Sequence, residues 1–322
     1  MAIGGLIFSA MGRKVILDVD TGIDDAAAII LAMSHPDVEV LGVTCVSGNI
    51  HIDKVLRNTF RVLKVCDRLN VPVFRGAESP ILSHNREPVC FHGNDGLGDC
   101  DWDEEIDTSL VQSEHAVNAL IRLVNKFPGE ITLVPLGPLT NIAMALKMDP
   151  EFGKKVKDVF VMGGNYKGIG NVTMSGEFNF HSDPEAAFIS LHGLRDVTVV
   201  PWETCMDADL PWATYDRWMK VETPKSRFVE KVTSFWVVKR DFRNIRKGIR
   251  LCDLNAMAAC INEAAILEKQ KVYATIELCG TVTRGQMAVD WRSHSDETPN
   301  VTVITKICTE SVARMFEEAL NG

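Results

Sequence analysis

The sequence predicts an α/β fold, a Rossmann-like, mostly parallel central sheet with helices on both faces. Three observations carry that expectation. Short apolar runs alternate with segments of helical spacing along most of the chain, the pattern of parallel strands joined by crossover helices. The run at 38–46 reads as continuously apolar, as a strand covered on both faces does. Residues 11–322 hold neither an internal repeat nor a Pro/Gly/Ser-rich linker, so one domain is expected there.

Taken in order, residues 15–17 are the inner half of a first buried strand and 26–33 a first helix, with Gly22 supplying the turn between them. The strand at 38–46 ends in Ser47-Gly48-Asn49, and helical spacing follows over 52–69. Ser113 caps a helix through residue 125. Strands at 131–135, 159–162 and 197–200 are interleaved with a helix at 139–147 and another opened by Asp183-Pro184, and Gly163-Gly164 stops the strand at 159–162. Residues 213–249 form a helical insertion bearing Trp218, Phe228, Phe235, Trp236 and Phe242, which either covers a pocket or packs on the core. A helix at 254–267, strands at 272–276 and 301–307, and a closing helix at 310–320 finish the chain. Residues 1–10 are apolar, too short to span a bilayer and without a charged leading region. They are set apart as an N-terminal extension, with Met11 as an alternative start.

Composition narrows the function classes. A formal net charge of -9 with no compensating Lys/Arg block argues against nucleic acid and anionic membrane as partners and favours a small-molecule substrate. The nine cysteines are scattered, odd in number and free of Cys-x-x-Cys spacing, as expected of reduced thiols in a cytoplasmic protein.

The most informative stretch is Asp18-Val19-Asp20-Thr21-Gly22-Ile23-Asp24-Asp25, at the junction of the first strand and helix. Acids this close repel one another unless a cation or hydrogen bonds compensate, and a hard divalent metal with oxygen ligands is the simplest compensation. The alternative is that Asp24 and Asp25 complement the positive end of the helix while Asp18 and Asp20 face water. Polar residues also follow the other strands: Asn49, then Pro135-Leu136-Gly137-Pro138, then Met162-Gly163-Gly164-Asn165. In a parallel sheet those loops converge on one crevice.

With these motifs in place, the chain resembles the calcium-dependent inosine-uridine preferring nucleoside hydrolases over nearly its whole length. The resemblance rests on the acidic octet, Gly48-Asn49, the loop from His92 to Gly98, Leu136-Gly137-Pro138-Leu139-Thr140-Asn141, Met162-Gly163-Gly164, Glu177-Phe178-Asn179, Asp183-Pro184-Glu185-Ala186-Ala187 and Asp253. It implies one Ca²⁺ held by the carboxylates of Asp20, Asp25 and Asp253 and the main-chain carbonyl of Leu136. Asp20 doubles as general base for an activated water that attacks the anomeric carbon. Asp24, Asn49, Asn171, Glu177, Phe178 and Asn179 become substrate contacts, Met162 packs under the sugar or base, and His92 stands on the base side. A homodimer or homotetramer and a place in nucleoside salvage or catabolism are further implications. For Asp253, helix N-capping is the competing reading.

One position departs from the family pattern. A histidine that helps protonate the leaving base is here Cys252, a weak hydrogen-bond donor. It resembles a subgroup with Cys at this place. Cys252 then acts as the acid, or His92 or an aromatic of the insertion takes its part, or the chain binds nucleosides with little turnover; a small buried cysteine can also simply pack. A haloacid-dehalogenase-like phosphatase is the other hydrolytic reading, but Gly22 stands where that family needs Thr or Val, and Asp24-Asp25 would have no role.

Overall fold

The computed structural model describes residues 12–82, 90–102 and 105–322, and the extension expected at 1–10 lies outside the described residues. The strands are β1 (Arg13–Val19), β2 (Val38–Cys45), β3 (Val73–Arg75), β4 (Ile131–Pro135), β5 (Asp158–Met162), β6 (Val197–Val200), β7 (Leu210–Pro211), β8 (Gly248–Ile249), β9 (Ile266–Ile276), β10 (Met287–Asp290) and β11 (Val301–Ile307). Nine of them form one sheet in the order β10-β9-β11-β6-β5-β4-β1-β2-β3, while β7 and β8 make a separate antiparallel pair. Pairing is parallel from β3 across to β11. It turns antiparallel only where β9 meets β11 and β10.

The parallel strands are buried because helices cover both faces. All five residues of β4 and the last five of β1 are buried, and separate apolar clusters fill the two sides of the sheet. The first helix, Ile23–Ser34, buries nearly its whole circumference, as a helix wedged between neighbours must. It packs on the helices Cys252–Ile261 and Thr309–Asn321. The chain leaves β1 toward β2 on one side and later returns as β4 on the other. That reversal opens a crevice beyond the carboxyl ends of β1 and β4.

Several boundaries differ from the sequence reading, each for a local reason. The helix expected at 254–267 ends at Ile261; Asn262 is extended and caps a single turn, Glu263–Ala265, through the Ala264 N–H. β9 therefore starts at Ile266 rather than at 272, its first half being exposed and charged on the antiparallel side. The helix at 52–69 stops at Val65, and Asp67 takes a positive φ of 54°. His115, not Ser113, caps the helix Ala116–Lys126, its Nδ1 accepting from the Val117 N–H. The insertion at 213–249 divides into the helices Trp212–Trp218, Pro224–Ser234 and Phe242–Ile245, a π turn at Phe235–Lys239, and β8. The five aromatics named above, and Tyr215 with them, are all buried. No helix among the described residues is long and apolar enough to cross a membrane, and Cys45, Cys66, Cys100, Cys205, Cys252, Cys260, Cys279 and Cys308 are free thiols.

Candidate active site

The acidic octet is sorted by where β1 ends. Asp18, still within the strand, faces inward; its Oδ1 accepts from the Thr44 hydroxyl (2.5 Å) and the Asn141 amide (2.8 Å). Asn141 also donates to the Cys45 carbonyl and accepts from the Ala77 N–H, so this pair ties β1, β2 and the helix after β4 together. Asp20, just past the strand, is fully buried, and its Oδ2 accepts from the Asn49 N–H at 2.7 Å. Asp25, in the first turn of the helix, accepts from the Gly22 N–H at 2.8 Å. Asp18 and Asp20 are thus both inside the protein, which overturns the alternative in which they face water.

Oδ1 of Asp20 and Oδ1 of Asp25 are buried without a hydrogen-bond partner. Leaving such atoms unmet costs ~1–3 kcal/mol each, more when charged. From the far end of the chain, the helix Cys252–Ile261 brings Asp253 to the same place. One carboxylate oxygen each of Asp24, Asp25 and Asp253 lies within 4.8 Å of the others. Leu251 is the N-cap of that helix and its side chain caps nothing, so Asp253 is not the capping residue. Burial, then the neighbouring acids, pushes the carboxyls of Asp20 and Asp253 well above the usual range. Burial and Asp24 raise Asp25 to about 7. Among the described residues no Lys or Arg pairs with these acids; the nearest cationic candidate is His92, with Nδ1 3.7 Å from Asp24 Oδ1. Orphaned oxygens, mutual repulsion and no internal counter-charge form a donor set suited to a hard divalent ion.

Above these acids lies a cavity of about 240 Å³. Asp24, Leu136 and Asp253 reach its wall, while Asp20 and Asp25 stand one layer beneath. Asn49, Asn171, Glu177, Phe178 and Asn179 line it as well. Glu177 caps the one-turn helix Phe178–Ser182 by accepting from the N–H groups of Asn179 and Phe180, and it also takes the Gly164 N–H. Burial, against those hydrogen bonds, raises it to about 7. The Asn179 amide donates to the Leu136 carbonyl at 2.7 Å and to the Met162 carbonyl at 3.1 Å, leaving its Oδ1 as the atom free to accept. Met162 ends β5 and serves both readings, 4% exposed yet on the cavity wall. Asn171 rides on a loop whose backbone N–H groups at Tyr166, Lys167 and Ile169 are gathered by the buried carboxylate of Glu203.

His92 and Cys252 complete the predicted set on the wall. Nδ1 of His92 accepts from the Ile23 N–H at 3.1 Å, so the ring hydrogen sits on Nε2, and burial lowers its pKa. The Cys252 thiol pairs with Cys205, and this bond together with burial raises it well above an ordinary cysteine. Four lining residues were not foreseen: Phe91, Val172, Trp202 and Arg246. Phe91 adjoins the motif histidine and Arg246 belongs to the insertion already considered as a pocket cover; Val172 and Trp202 carried no signal.

Gly22 proves necessary for space, not for turning. Its φ of -95° is open to any residue, but a Cβ there would meet His92 Nδ1 at 2.7 Å and Asn49 Nδ2 at 2.9 Å. Gly48 is similar, its Cβ position falling 2.2 Å from Asp20 Oδ2. Gly22→Ala should therefore displace two cavity residues at once. We expect a loss of about 1–3 kcal/mol in stability, read by urea denaturation, and a raised KM; an unchanged KM would show that His92 and Asn49 do not touch substrate.

Acids without a counter-charge beneath an amide-rimmed cavity, at the carboxyl edge of a doubly wound sheet, make a candidate divalent-metal site under a small-molecule pocket. The family model described as inosine-uridine preferring nucleoside hydrolase matches residues 15–314. A relative from Leishmania major named inosine-uridine preferring nucleoside hydrolase is 37% identical over 283 residues, 88% of this chain and 89% of its own. A pyrimidine-specific ribonucleoside hydrolase from Escherichia coli strain K12 is 33% identical over 313 residues, covering 96% and 97%. The solved structure of an inosine-guanosine nucleoside hydrolase superposes with a TM-score of 0.88 at 31% identity, covering 96% of this chain and 98% of that one. The chain belongs to the inosine-uridine preferring nucleoside hydrolase family and is a hydrolase of N-glycosidic bonds in nucleosides.

Proposed function

We propose that the chain hydrolyses ribonucleosides to free base and ribose with Ca²⁺ held by Asp20, Asp25, Asp253 and the Leu136 carbonyl. The observation that carries this reading is the pair of buried, unpartnered oxygens, Asp20 Oδ1 and Asp25 Oδ1, under a cavity rimmed by amides. A divalent ion held there would supply Lewis acidity toward water and sugar hydroxyls.

The chain's own groups do the rest. Asn49 holds Asp20 by Oδ2, so Oδ1 is the atom that takes the proton of the attacking water. Asp24, Asn49, Asn171, Glu177 and Asn179 supply the donors and acceptors that ribose hydroxyls need, and Phe178 and Met162 the apolar surface beside them. As the glycosidic bond breaks, positive charge grows on the ribose ring, and the surrounding carboxylates stabilise it in a site that costs no reorganisation. His92 donates through Nε2 on the base side. Cys252 is a thiol at neutral pH and donates weakly.

The decisive assay is release of ribose from a panel of ribonucleosides with and without a chelator. Chelator-sensitive hydrolysis supports the reading. Ion-dependent nucleoside binding without product supports the second reading, a binding homologue, which Cys252 motivates. A companion prediction separates the roles of Cys252: Cys252→Ala should lower kcat on nucleosides by about 10-fold or more and spare p-nitrophenyl riboside, whose leaving group needs no proton. Equal losses on both would mean that Cys252 only packs.

A further inference from the structure

We propose that Glu203 is a positioning residue of the site: it holds the loop that carries Asn171 against the cavity and so sets how tightly a ribonucleoside is bound. The inference rests on the hydrolase reading above. Asn171 and Val172 reach the cavity from residues 165–176, which lie between β5 and Glu177 and form neither helix nor strand. Gly168, Gly170 and Gly176 fall in this stretch, and glycine has the most conformational freedom to lose on ordering. Such a segment keeps one shape only if side chains from elsewhere hold its backbone groups.

Two buried side chains do this. Glu203 belongs to the short helix Trp202–Asp207 that follows β6, and it is 1% exposed. Its Oε2 accepts from the Tyr166 N–H at 2.9 Å, and its Oε1 from the N–H groups of Lys167 (2.7 Å) and Ile169 (3.3 Å). Asn165, fully buried, serves the carbonyls: its amide donates to Ile169 at 3.1 Å and to Ser175 at 2.6 Å, and its Oδ1 accepts from the Met287 N–H at the start of β10. The joint upstream is fixed as well, since the Gly164 N–H donates to Glu177 and the Gly164 carbonyl accepts from the Trp202 N–H. Past Ile169 the chain turns back on itself, the N–H groups of Asn171 and Val172 both donating to the Gly176 carbonyl. Asn171 is thus located by a series of contacts that begins at Glu203.

Three converging N–H groups suit an anion. A carboxylate offers both oxygens to them, whereas a carboxamide offers one oxygen and turns an NH₂ toward donors. Glu203 does not itself line the cavity, so it acts on substrate through the loop, and Asn171, exposed and on the cavity wall, is the group through which it acts. An amide already held in place loses little further freedom when a sugar hydroxyl binds. On a loosened loop the ligand must order the same amide, and affinity falls. Because a hydroxyl remote from the breaking bond is held alike before and during reaction, the loss should appear in KM and not in kcat.

The test is a double-mutant cycle of wild type, Glu203→Gln, Asn171→Ala and the combined variant, with inosine in the presence of Ca²⁺. Glu203→Gln should raise KM about 10-fold and change kcat less than about 3-fold. In the Asn171→Ala background the same substitution should add less than about twofold, because residues that act as one unit are not additive. Glu203→Asp, which keeps the charge but withdraws it by one methylene, should fall between wild type and Glu203→Gln in KM. Hydrogen exchange keeps the test readable if a variant is less stable: amides at 166–172 should exchange faster while those of β1 and β4 keep their wild-type protection. A KM for Glu203→Gln or for Asn171→Ala within about twofold of wild type, or losses that multiply in the combined variant, overturns the assignment. Faster exchange throughout the sheet makes Glu203 a general structural residue and overturns it too. If the wild type releases no ribose, the hydrolase reading falls by itself, and the cycle is read in ribonucleoside affinity by calorimetry with the same criteria.

Discussion

Asp20→Asn should abolish turnover, lowering kcat by about 10³-fold or more, while leaving a folded protein. Asparagine matches aspartate in shape and its carbonyl can still accept from the Asn49 N–H now bound by Oδ2. What changes is the other position. The orphaned Oδ1, an acceptor able to take a proton, becomes an NH₂ that can only donate. The substitution also removes one of several buried charges that repel each other around Asp25 and Asp253. Without a divalent ion, Asp20→Asn should accordingly melt at or above the wild-type temperature, and that separates a chemical role from a structural one. Kinetics on inosine together with thermal melts in chelator decide the matter: kcat within tenfold of wild type removes Asp20 from the mechanism.

The second large effect is the coupling of stability, pH and the divalent ion. Burial raises the carboxyls of Asp18 and Asp25 to about 7, and Asp20 and Asp253 also move upward. An acid whose pKa is higher folded than unfolded stabilises the fold fully below its unfolded value, near 4. That contribution is lost as pH rises through the folded value, here near 7. A tenfold change in a carboxyl's proton affinity between the two states is worth about 1.36 kcal/mol, so in chelator the melting temperature should fall markedly between pH 5 and pH 8. On the proposed reading, Ca²⁺ would bind the ionised acids, and adding it should reverse the trend. We expect the rise in Tm caused by Ca²⁺ to be near zero at pH 5 and about 5 °C or more at pH 8. Differential scanning fluorimetry across that range checks it; an increment that is absent, or the same at every pH, would refute ion binding by these carboxylates.

The parallel half of the sheet was legible because residues such as 131–135 and 197–200 are largely apolar, which strands covered on both faces require. The first half of β9 was not. Its residues 267–271 are exposed and largely charged, and what makes them a strand is pairing with β11, a long-range contact with no local periodicity. The one-turn helix Phe178–Ser182 is too short to show a repeat and exists because Glu177 caps it. The acids of the site were legible where they crowd together in the chain, from Asp18 to Asp25. Asp253 drew meaning only from the family pattern, since nothing near it in sequence demands a partner. Arg246 was illegible for a different reason. In sequence it is one more cation beside Arg243, Lys247 and Arg250, and only its place on the cavity wall tells it apart.

The two helices that deliver the acids, Ile23–Ser34 and Cys252–Ile261, lie against each other with alanines at 26, 27, 28, 256, 258 and 259 among their buried residues. Those methyl groups work as a spacing gauge between Asp25 and Asp253. Widening the gauge by a single methylene at such a position would prise the carboxylates apart without touching either of them, so on the proposed reading the fit to an ion of a given radius would depend on how closely these two helices pack.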